Sequence, residues 1–475
     1  MKEMYISEIA KELSEENLAL FCGAGFSMSS GFVSWKELMR PIAKEIQLDI
    51  EKETDMVAIA QYHVNANASN RHKLNQLLID EFSKNAKLTE NHAIIARFPV
   101  QEYWTTNYDK LIETALEKQG RIPDVKSTVE QLAYTKPKRD AVVYKMHGDI
   151  GSPDKAVLTK DDYESYHIKY RQFIIALAGS LVSRTFLFIG FSFKDPNLDY
   201  ILGRIRVAYN SNQRRHFCFI KEINKDDYTD EKEYEYDRIK FELFVSDLGR
   251  FNIKAIRITD YSEITKTLKQ VESLYKRKTI FISGAASDYG VRKKDDALIF
   301  IHNLSKTLVQ KGYKIVSGFG LGVGSSVITG ALEEIYLNPN QSSNDQLLLR
   351  PFPQDVTGSI DKNTLWKKYR EDLCLYSGIA IFLFGNKLES GNIINSNGMV
   401  TEFEIAFEKG LFLIPIGSTG FIAEEIWNKI NSNFDRYAYN TASLVSNFKM
   451  LNDKSKSDHE IIEVVMDILK EVINK

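Results

Sequence analysis

Residues 18–31 read Leu-Ala-Leu-Phe-Cys-Gly-Ala-Gly-Phe-Ser-Met-Ser-Ser-Gly, an apolar run that stops at a turn of small residues. The run 18–22 is typical of a buried parallel strand, and the glycines are typical of a tight turn before a helix. Glycine has no Cβ, so a phosphate group can approach the backbone N–H groups at the start of that helix, where the dipole also favours anions. The stretch predicts a nucleotide-binding turn or, since the full Gly-x-Gly-x-x-Gly spacing is absent, a plain strand-to-helix turn.

Length and composition narrow the function classes. A chain of 475 residues favours two domains, with three possible. Its 62 Lys and Arg residues against 64 Asp and Glu residues leave no excess positive charge for a nucleic-acid backbone. The three cysteines, Cys22, Cys218 and Cys374, are too few for a four-thiolate zinc site. There is no signal-peptide pattern and no run near the ~18 apolar residues of a membrane span, so we expect a cytoplasmic protein without bound metal, nucleic acid or membrane.

The first half of the chain has the pattern of an α/β domain. Continuous apolarity in a short run indicates a strand buried on both faces, as in a parallel sheet covered by helices. Six such runs occur: Leu18–Cys22, Tyr103–Thr106, Ala141–Lys145, Thr185–Ile189, Phe217–Ile220 and Lys254–Ile258. Helical segments separate most of them, and a long, mainly helical stretch from Trp35 to Phe98 predicts an insertion between the first two strands. We place this domain at residues 1–275.

Polar residues follow three of the later runs directly. Asn107 and Asp109 follow the second run, His147 follows the third, and Gly190 and Ser192 follow the fourth. A ligand of an open α/β sheet lies outside the carboxyl ends of the strands, so these residues form one candidate site with the first turn. Structural alternatives stay open: the asparagine also suits a turn, the histidine also suits a purely structural role, and the aspartate also suits a cap on helix 110–118.

The ordered motifs Gly-Ala-Gly-x-Ser, Thr-x-Asn-x-Asp, His-Gly and Gly-x-Ser resemble the sirtuin-like family over roughly the first 260 residues. The resemblance implies an NAD site in which Asn107 and His147 are catalytic and the histidine is the base. In that family the first turn holds the phosphates, the aspartate lies at the nicotinamide ribose, and the last motif flanks the adenosine. The NAD-binding residues so implied are Gly23, Ala24, Gly25, Ser27, Asp109, Gly190 and Ser192.

One departure from the sirtuin pattern favours a particular reaction. Sirtuin deacylases carry a four-cysteine zinc module after the His-Gly strand, and this chain has no cysteine between Cys22 and Cys218. We therefore expect cleavage of the N-glycosidic bond of NAD with water as the acceptor. The amide of Asn107 can place water and hydroxyls, and the imidazole of His147 can take a proton. The alternatives are a protein deacylase and a nucleotide sensor without catalysis.

A second strand-and-turn pattern begins in the last part of the chain, which we place at residues 276–475. The run 279–283 ends in small residues at 284–287, and a loop at 318–324 has glycine at every second position. Because glycine costs a helix or strand roughly 0.5–1 kcal/mol relative to alanine, the loop predicts a backbone that bends closely around a ligand. A mobile loop is the alternative.

The order of these elements resembles the SLOG family of Rossmann-like nucleotide-sensing domains, over roughly the last 195 residues. Of the Pro-Gly-Gly-x-Gly-Thr-x-x-Glu motif of the hydrolase branch, only Gly398, Thr401 and Glu402 are present, so we expect ligand binding and no second active site. The implied ligand-binding residues are Gly284, Ala285, Ser287, Gly320, Gly322, Gly324, Arg370, Lys387 and Glu402. Arg370 also suits an ordinary solvated helix position.

A sirtuin-like domain followed by a SLOG domain resembles the effector family of Thoeris antiphage systems. The resemblance implies a TIR-domain partner that makes a cyclic ADP-ribose isomer, and a SLOG domain that binds this nucleotide. The sirtuin-like domain then depletes NAD and stops the infection. The resemblance also implies a homotetramer assembled through the catalytic domain.

Overall fold

The structure, a computed structural model, describes residues 2–193, 195–209, 212–339, 342–352, 359–437 and 441–473. The chain divides into two compact units, Met1–Glu272 and Ser273–Lys475. Each unit has its own parallel sheet and its own buried core. The predicted α/β class with two Rossmann-like sheets is confirmed.

The first unit is built on a seven-stranded parallel sheet in the order β3-β4-β2-β1-β5-β6-β7. The strands are β1 Leu18–Cys22, β2 Glu102–Thr105, β3 Pro123–Lys126, β4 Ala141–Lys145, β5 Thr185–Ile189, β6 His216–Lys221 and β7 Ile253–Ile258. Strand β1 is central and all five of its residues are buried. All six predicted runs are strands, whereas the edge strand β3 was not predicted because its Pro-Asp-Val-Lys sequence has no apolar run.

Helices cover both faces of this sheet. They are α1 Lys2–Ser14, α2 Ala24–Met28, α3 Trp35–Glu45, α4 Met56–Ala66, α5 His72–Phe82, α6 Glu90–Arg97, α7 Leu111–Lys118, α8 Lys160–Lys169, α9 Arg171–Ser183, α10 Pro196–Tyr209, α11 Glu231–Leu248 and α12 Ser262–Lys276. Helices α3 to α6 form the predicted insertion. This insertion has its own apolar cluster, to which Leu38, Ile42, Ile59, Leu74 and Leu78 contribute. The cluster explains how a segment outside the sheet keeps a defined structure.

The second unit has a five-stranded parallel sheet in the order β10-β9-β8-β11-β14. Its strands are β8 Thr279–Ala285, β9 Lys314–Ser317, β10 Leu347–Leu349, β11 Ile379–Phe384 and β14 Phe412–Pro415, and an antiparallel hairpin consists of β12 Asn386–Glu389 and β13 Asn392–Asn395. Asn386 and Lys387 belong to the first strand of this hairpin, which follows β11 closely. The Asn-Ile-Ile-Asn sequence of β13 does not alternate apolar and polar residues, and all four of its residues are exposed.

Eight helices flank this second sheet in the described part of the chain. They are α13 Lys294–Gln310, α14 Gly324–Leu337, α15 Lys362–Leu375, α16 Asn397–Glu408, α17 Phe421–Asn431, α18 Phe434–Tyr437, α19 Ala442–Met450 and α20 Asp458–Ile473. The six residues of β11 are all buried. Across both units, no described helix has the length and apolar character needed to cross a membrane.

Candidate active site

The strand order of the first unit creates a crevice at the carboxyl end of β1. The chain leaves β1 toward β2 and leaves the neighbouring strand β5 toward β6, in the opposite direction along the sheet. This switch point is where open α/β sheets bind ligands. A cavity of about 1450 Å³ lies there, which is larger than the ~300–1000 Å³ of most small-molecule sites and suits a dinucleotide. Eight of the predicted residues line it: Ala24, Gly25, Ser27, Asn107, Asp109, His147, Gly190 and Ser192.

The glycines of the first turn serve close packing between two turns. The N–H of Gly23 donates to Ile189 O at 2.9 Å, and the N–H of Gly25 donates to Gly190 O at 3.0 Å. Gly190 has φ +65°, and a Cβ there would lie 2.2 Å from the backbone nitrogen of Phe26. These two N–H groups therefore already have partners, and contact between the turn and phosphates stays a prediction.

The side chain of Asn107 is held by the protein through its amide nitrogen, which leaves its amide oxygen for a ligand. Its amide nitrogen donates to Gly23 O and to Ser27 Oγ, each at 2.9 Å, which uses both amide hydrogens. Because a backbone carbonyl can only accept, the amide orientation follows from the contact. The backbone N–H of Asn107 donates to Thr105 Oγ1 at 2.9 Å, and that hydroxyl donates to Cys22 O at 2.8 Å. The remaining atom, Oδ1, is an acceptor for water or a ribose hydroxyl.

The two carboxylate oxygens of Asp109 have different surroundings. Its Oδ1 accepts from the backbone N–H of Leu111 at 2.9 Å, as a cap at the start of α7. Its Oδ2 is buried and has no hydrogen-bond partner among the described residues. A carboxylate oxygen in this state is costly unless a ligand donates to it. Asp109 therefore has the capacity to cap the helix and to bind a ligand at once.

His147 is buried at the edge of the cavity. Its Nε2 lies 3.1 Å from Asp195 Oδ2, which is ion-pair distance when the imidazole is protonated. The ring N–H does not point at the carboxylate with hydrogen-bond geometry. The ring of Tyr163 packs edge-on at 5.5 Å between centroids. The backbone continues through Gly148, whose φ of +92° favours glycine.

Asp195 is a site residue that the sequence analysis missed. Its Oδ1 accepts from the N–H groups of Asn197 at 2.9 Å and Leu198 at 3.1 Å at the start of α10. Burial acts to raise the pKa of Asp195, but the neighbouring imidazole of His147 and these N–H groups outweigh burial and lower it. The carboxylate is therefore ionised at neutral pH. The available signal was Asp-Pro at a helix start, which by itself indicates only a cap.

Lys145 is a second missed residue and lies beneath the site. The side chain is fully buried and donates to Tyr108 O at 3.2 Å, Glu113 Oε1 at 3.1 Å, Asp109 O and Asp149 Oδ2. Burial would lower the pKa of Lys145, but the two carboxylates outweigh it and raise the pKa. The ammonium thus joins the turn after β2 to the turn after β4. A lone lysine at the end of an apolar strand was the signal.

In the second unit, the glycine loop packs against the turn that ends β8. A Cβ at Gly320 would lie 1.8 Å from Gly284 O, and one at Gly322 would lie 1.9 Å from Ala286 O. The N–H of Ala286 donates to Leu321 O at 2.8 Å. The two small-residue segments are therefore in direct backbone contact, and Gly324 begins α14 beside them. The alternating glycines are explained by this contact, and ligand binding there stays a prediction.

Arg370 is not the solvated residue of the alternative interpretation, because only 12% of its side chain is exposed. Its Nε lies 3.4 Å from Glu402 Oε1, and its guanidinium lies 4.9 Å from the ring centroid of Phe352. Ser283 Oγ donates to Glu402 Oε2 at 2.6 Å. Burial raises the pKa of Glu402 despite these partners. A Cβ at Gly398 would lie 2.9 Å from Arg370 Nη2, so a larger residue there would displace the end of the arginine side chain.

Lys387 pairs with Glu389 at 2.5 Å within the hairpin and makes no ion pair with Glu402 in the described ranges. Asn386, which the sequence analysis did not select, holds the hairpin to the turn after β8. Its Oδ1 accepts from the N–H of Ser287 at 2.9 Å, and Ser287 Oγ accepts from the N–H of Leu388 at 3.0 Å. Lys387 and Ser287 are therefore brought together by the hairpin, and Ala285 ends β8 beside them.

Comparison with known proteins decides the family. The profile of the Sir2- and TIR-associating SLOG family matches residues 263–472, and the profile of the SIR2-like domain matches residues 101–241. NAD(+) hydrolase ThsA of Bacillus cereus (strain MSX-D12) is 51% identical, with 99% of this chain and 98% of that protein covered. NAD(+) hydrolases named ThsA from Cytobacillus dafuensis and Acinetobacter baumannii (strain 532279) are 46% and 44% identical, over 98% and 99% of this chain and 96% and 98% of theirs.

The chain belongs to the ThsA family of NAD(+) hydrolases.

Membership in the ThsA family confirms the resemblance drawn from the two motif sets, and with it NAD as the substrate that defines the family. The SIR2-like match contains Asn107, Asp109, His147, Gly190 and Ser192 but not the first turn. The SLOG match contains all nine residues predicted for the second unit.

No cluster of three or more His, Cys, Asp or Glu side chains in the described ranges of this ThsA-family chain is arranged to hold a metal ion. Cys22, Cys218 and Cys374 are buried free thiols. Burial raises the pKa of Cys374 to about 12, so this sulfur is a thiol rather than a thiolate.

Proposed function

We propose that this protein hydrolyses NAD⁺ to ADP-ribose and nicotinamide in the cytoplasm and so depletes NAD in antiphage defence. The observation that carries the proposal is the meeting of Asn107, Asp109 and His147 in one cavity at the switch point of the first sheet. Full-length similarity to curated NAD(+) hydrolases supports it. We assign catalysis to residues 1–275 and ligand sensing to residues 276–475.

The proposed mechanism uses the hydrogen-bonding atoms of these side chains that have no partner among the described residues of the protein. The bond between nicotinamide and the ribose C1′ breaks with its electron pair going to the ring nitrogen of nicotinamide, and the ribose becomes oxocarbenium-like. Water bonds to C1′ and gives its proton to His147. Asn107 Oδ1 accepts from the water or from a ribose hydroxyl, since both amide hydrogens are used by the protein. The free Oδ2 of Asp109 offers negative charge near the cationic ribose.

Two substitutions test this assignment. We expect Asn107→Ala and His147→Ala each to lower the rate of nicotinamide release by ~10²–10⁴-fold, since each removes a group that positions water or takes its proton. His167→Ala is the matched control, because this histidine is exposed on α8. The measurement is nicotinamide release from NAD⁺ under conditions in which the unchanged protein is active. Retention of more than about half the activity by either variant contradicts the assignment.

We further propose that a cyclic ADP-ribose isomer, made by a TIR-domain partner, binds the second unit and activates a homotetramer. The observation that favours a phosphate-bearing ligand is the guanidinium of Arg370, held in place by Glu402 and Phe352. Lys387 and the turn after β8 complete the proposed site. Binding shifts an equilibrium only by its different affinity for the two states, and a coupling of ~1–3 kcal/mol gives a response of roughly 5–150-fold.

Arg370→Ala tests the sensing proposal. We expect the variant to lose calorimetric binding of the cyclic nucleotide and activation by it together, because alanine removes the guanidinium that the proposal places against the phosphates. Lys368→Ala on the same helix is the control, since that side chain is exposed. A variant that binds and activates like the unchanged protein refutes the site. Size measurement with and without nucleotide tests the homotetramer.

A further inference from the structure

A largely buried carboxylate lies beside the proposed catalytic base, and no part of the mechanism above uses it. Asp195 Oδ2 is 3.1 Å from His147 Nε2, and the two side chains are 10% and 5% exposed. Both residues line the cavity. A carboxylate at this distance from an imidazole sets which ring nitrogen holds the proton and stabilises the imidazolium once it forms. The geometry therefore suits a catalytic dyad rather than an isolated histidine.

A second duty holds Asp195 in position. Its Oδ1 accepts from the N–H groups of Asn197 and Leu198 at 2.9 and 3.1 Å, so the first turn of α10 orients the carboxylate. Pro196 follows and fixes the backbone at the first helical position. With Oδ1 occupied by the helix, Oδ2 is the oxygen that lies toward the imidazole. The residue is therefore anchored without using the oxygen that contacts His147.

The other described side chains around His147 and Asp195 do not compete with the histidine for this carboxylate. Tyr163 and Tyr166 of α8 present their ring edges to His147 at 5.5 and 6.3 Å between centroids. Burial, with the charge of Asp195 second, raises the pKa of both phenols well above the usual value, so they are neutral. In the part of the chain that the structure describes, His147 is the basic side chain within ion-pair distance of Asp195.

Charged groups on the strand and turn of the histidine have other partners. Lys145 and Asp149 pair with each other beneath the site, and Asp109 of the adjacent turn caps α7. The charges of Lys145 and Asp149 therefore compensate each other. Among the carboxylates of the described residues, Asp195 is the one at ion-pair distance from His147, so it is the one that responds most directly to protonation of the imidazole.

We propose that Asp195 is a positioning residue that orients His147 and stabilises the imidazolium formed during NAD⁺ hydrolysis. Since Nε2 lies toward Asp195, Nδ1 is the nitrogen that takes the proton from water. His147 Nε2 and Asp195 Oδ2 lie at ion-pair distance without hydrogen-bond alignment, a geometry that allows the pair to tighten in a complex with substrate. The inference rests on the proposed hydrolysis of NAD⁺, in which His147 takes the proton of the attacking water.

Asp195→Asn and Asp195→Ala separate the charge of this residue from its structural duty. Asparagine caps helices about as well as aspartate, whereas alanine costs about 1 kcal/mol at such a position. If Asp195 were only a cap, Asp195→Asn would behave like the unchanged protein and only Asp195→Ala would lose stability. We expect Asp195→Asn to keep its unfolding temperature and its affinity for NAD⁺, and to lose about 10- to 1000-fold in kcat.

The pH profile is a readout that a structural role does not move. Without the carboxylate, protonation of the base at low pH is less favoured, so the acid limb of kcat/KM shifts to lower pH in Asp195→Asn. Asp199→Asn is the matched control, since Asp199 is exposed in the first turn of the same helix. Nicotinamide release, calorimetric NAD⁺ binding and thermal unfolding are measured on the full chain.

Failure of the proposed hydrolysis and failure of the proposed role of Asp195 give different results. An unchanged protein that releases no nicotinamide, with or without candidate activators, overturns the proposed hydrolysis. An active unchanged protein with an equally active Asp195→Asn variant and an unmoved acid limb overturns the role of Asp195 alone. An activity loss in Asp195→Asn that is accounted for by loss of folded protein also overturns it, because the residue is then only structural.

Discussion

Replacing Lys145 by methionine should destabilise the first unit much more than replacing an exposed lysine that contacts the same carboxylate. The methionine keeps most of the side-chain volume but removes an ammonium that donates to Glu113 at 3.1 Å, to Tyr108 O at 3.2 Å and to Asp149. Glu113 and Asp149 are only 8% and 9% exposed, so their charges are left without compensation. Breaking one side of a buried ion pair costs about 3–5 kcal/mol.

For a unit of this size, each kcal/mol corresponds to about 2–4 °C in unfolding temperature, so the expected decrease is about 6–20 °C. Lys110→Met is the matched control, because Lys110 is 59% exposed and its Nζ lies 4.0 Å from Asp149 Oδ1. An exposed pair of this kind contributes ~0–1 kcal/mol. Differential scanning calorimetry measures both variants, and equal, small shifts would refute the argument from burial.

A double variant of Lys145 and Glu113 tests directly whether these two side chains interact. Glu113→Gln removes one of the carboxylates left uncompensated in Lys145→Met. The double variant should therefore be less destabilised than the sum of the two single variants, by about 0.5–3 kcal/mol of coupling. Strict additivity would show that the two side chains do not interact as the structure indicates.

Three further predictions concern packing, pH and metal. Gly190→Ala should destabilise the first unit and abolish activity, because its Cβ would lie 2.2 Å from the nitrogen of Phe26. Gly179→Ala, in an open position on α9, should be neutral or stabilising by up to ~1 kcal/mol, and thermal unfolding compares the two. Burial lowers the pKa of His92 to about 4 and of His216 to about 3. The unfolded chain binds these protons below about pH 6.5 and the folded chain does not, so each histidine should cost ~2 kcal/mol of stability between pH 7 and pH 5. Urea unfolding at the two pH values checks this, and glutamine at either position should reduce the acid sensitivity. Metal analysis after dialysis against a chelator should find no stoichiometric zinc; one tightly held zinc per chain would return attention to a deacylase.

Much of the fold was predictable because burial on both faces of a parallel strand leaves a continuous apolar run. Strands β1, β4 and β5 were predicted with the bounds that the structure has. Edge strand β3 and the hairpin β12–β13 were not, since an edge or exposed strand needs no such run and lacks it here. Local composition therefore predicted the interior of each sheet better than its margins.

The residues of the candidate site were also predicted only in part. Position after a strand was enough to select Asn107, Asp109 and His147, because the carboxyl ends of parallel strands meet at one edge. Lys145 and Asp195 were missed, since a lysine at a strand end and an aspartate before a proline each have an ordinary local explanation. Their roles depend on partners from other elements.

The sequence by itself determined where the buried strands β1, β4 and β5 end, where glycine turns follow strands and which polar groups stand at the sheet edge, because these features depend on neighbours along the chain. Only the tertiary structure decided that Asp195 faces His147, that Lys145 joins two turns, and that Arg370 meets Glu402. The physical reason is that strand order and helix placement bring these charges together. Their energies arise from burial and distance, which no local pattern specifies.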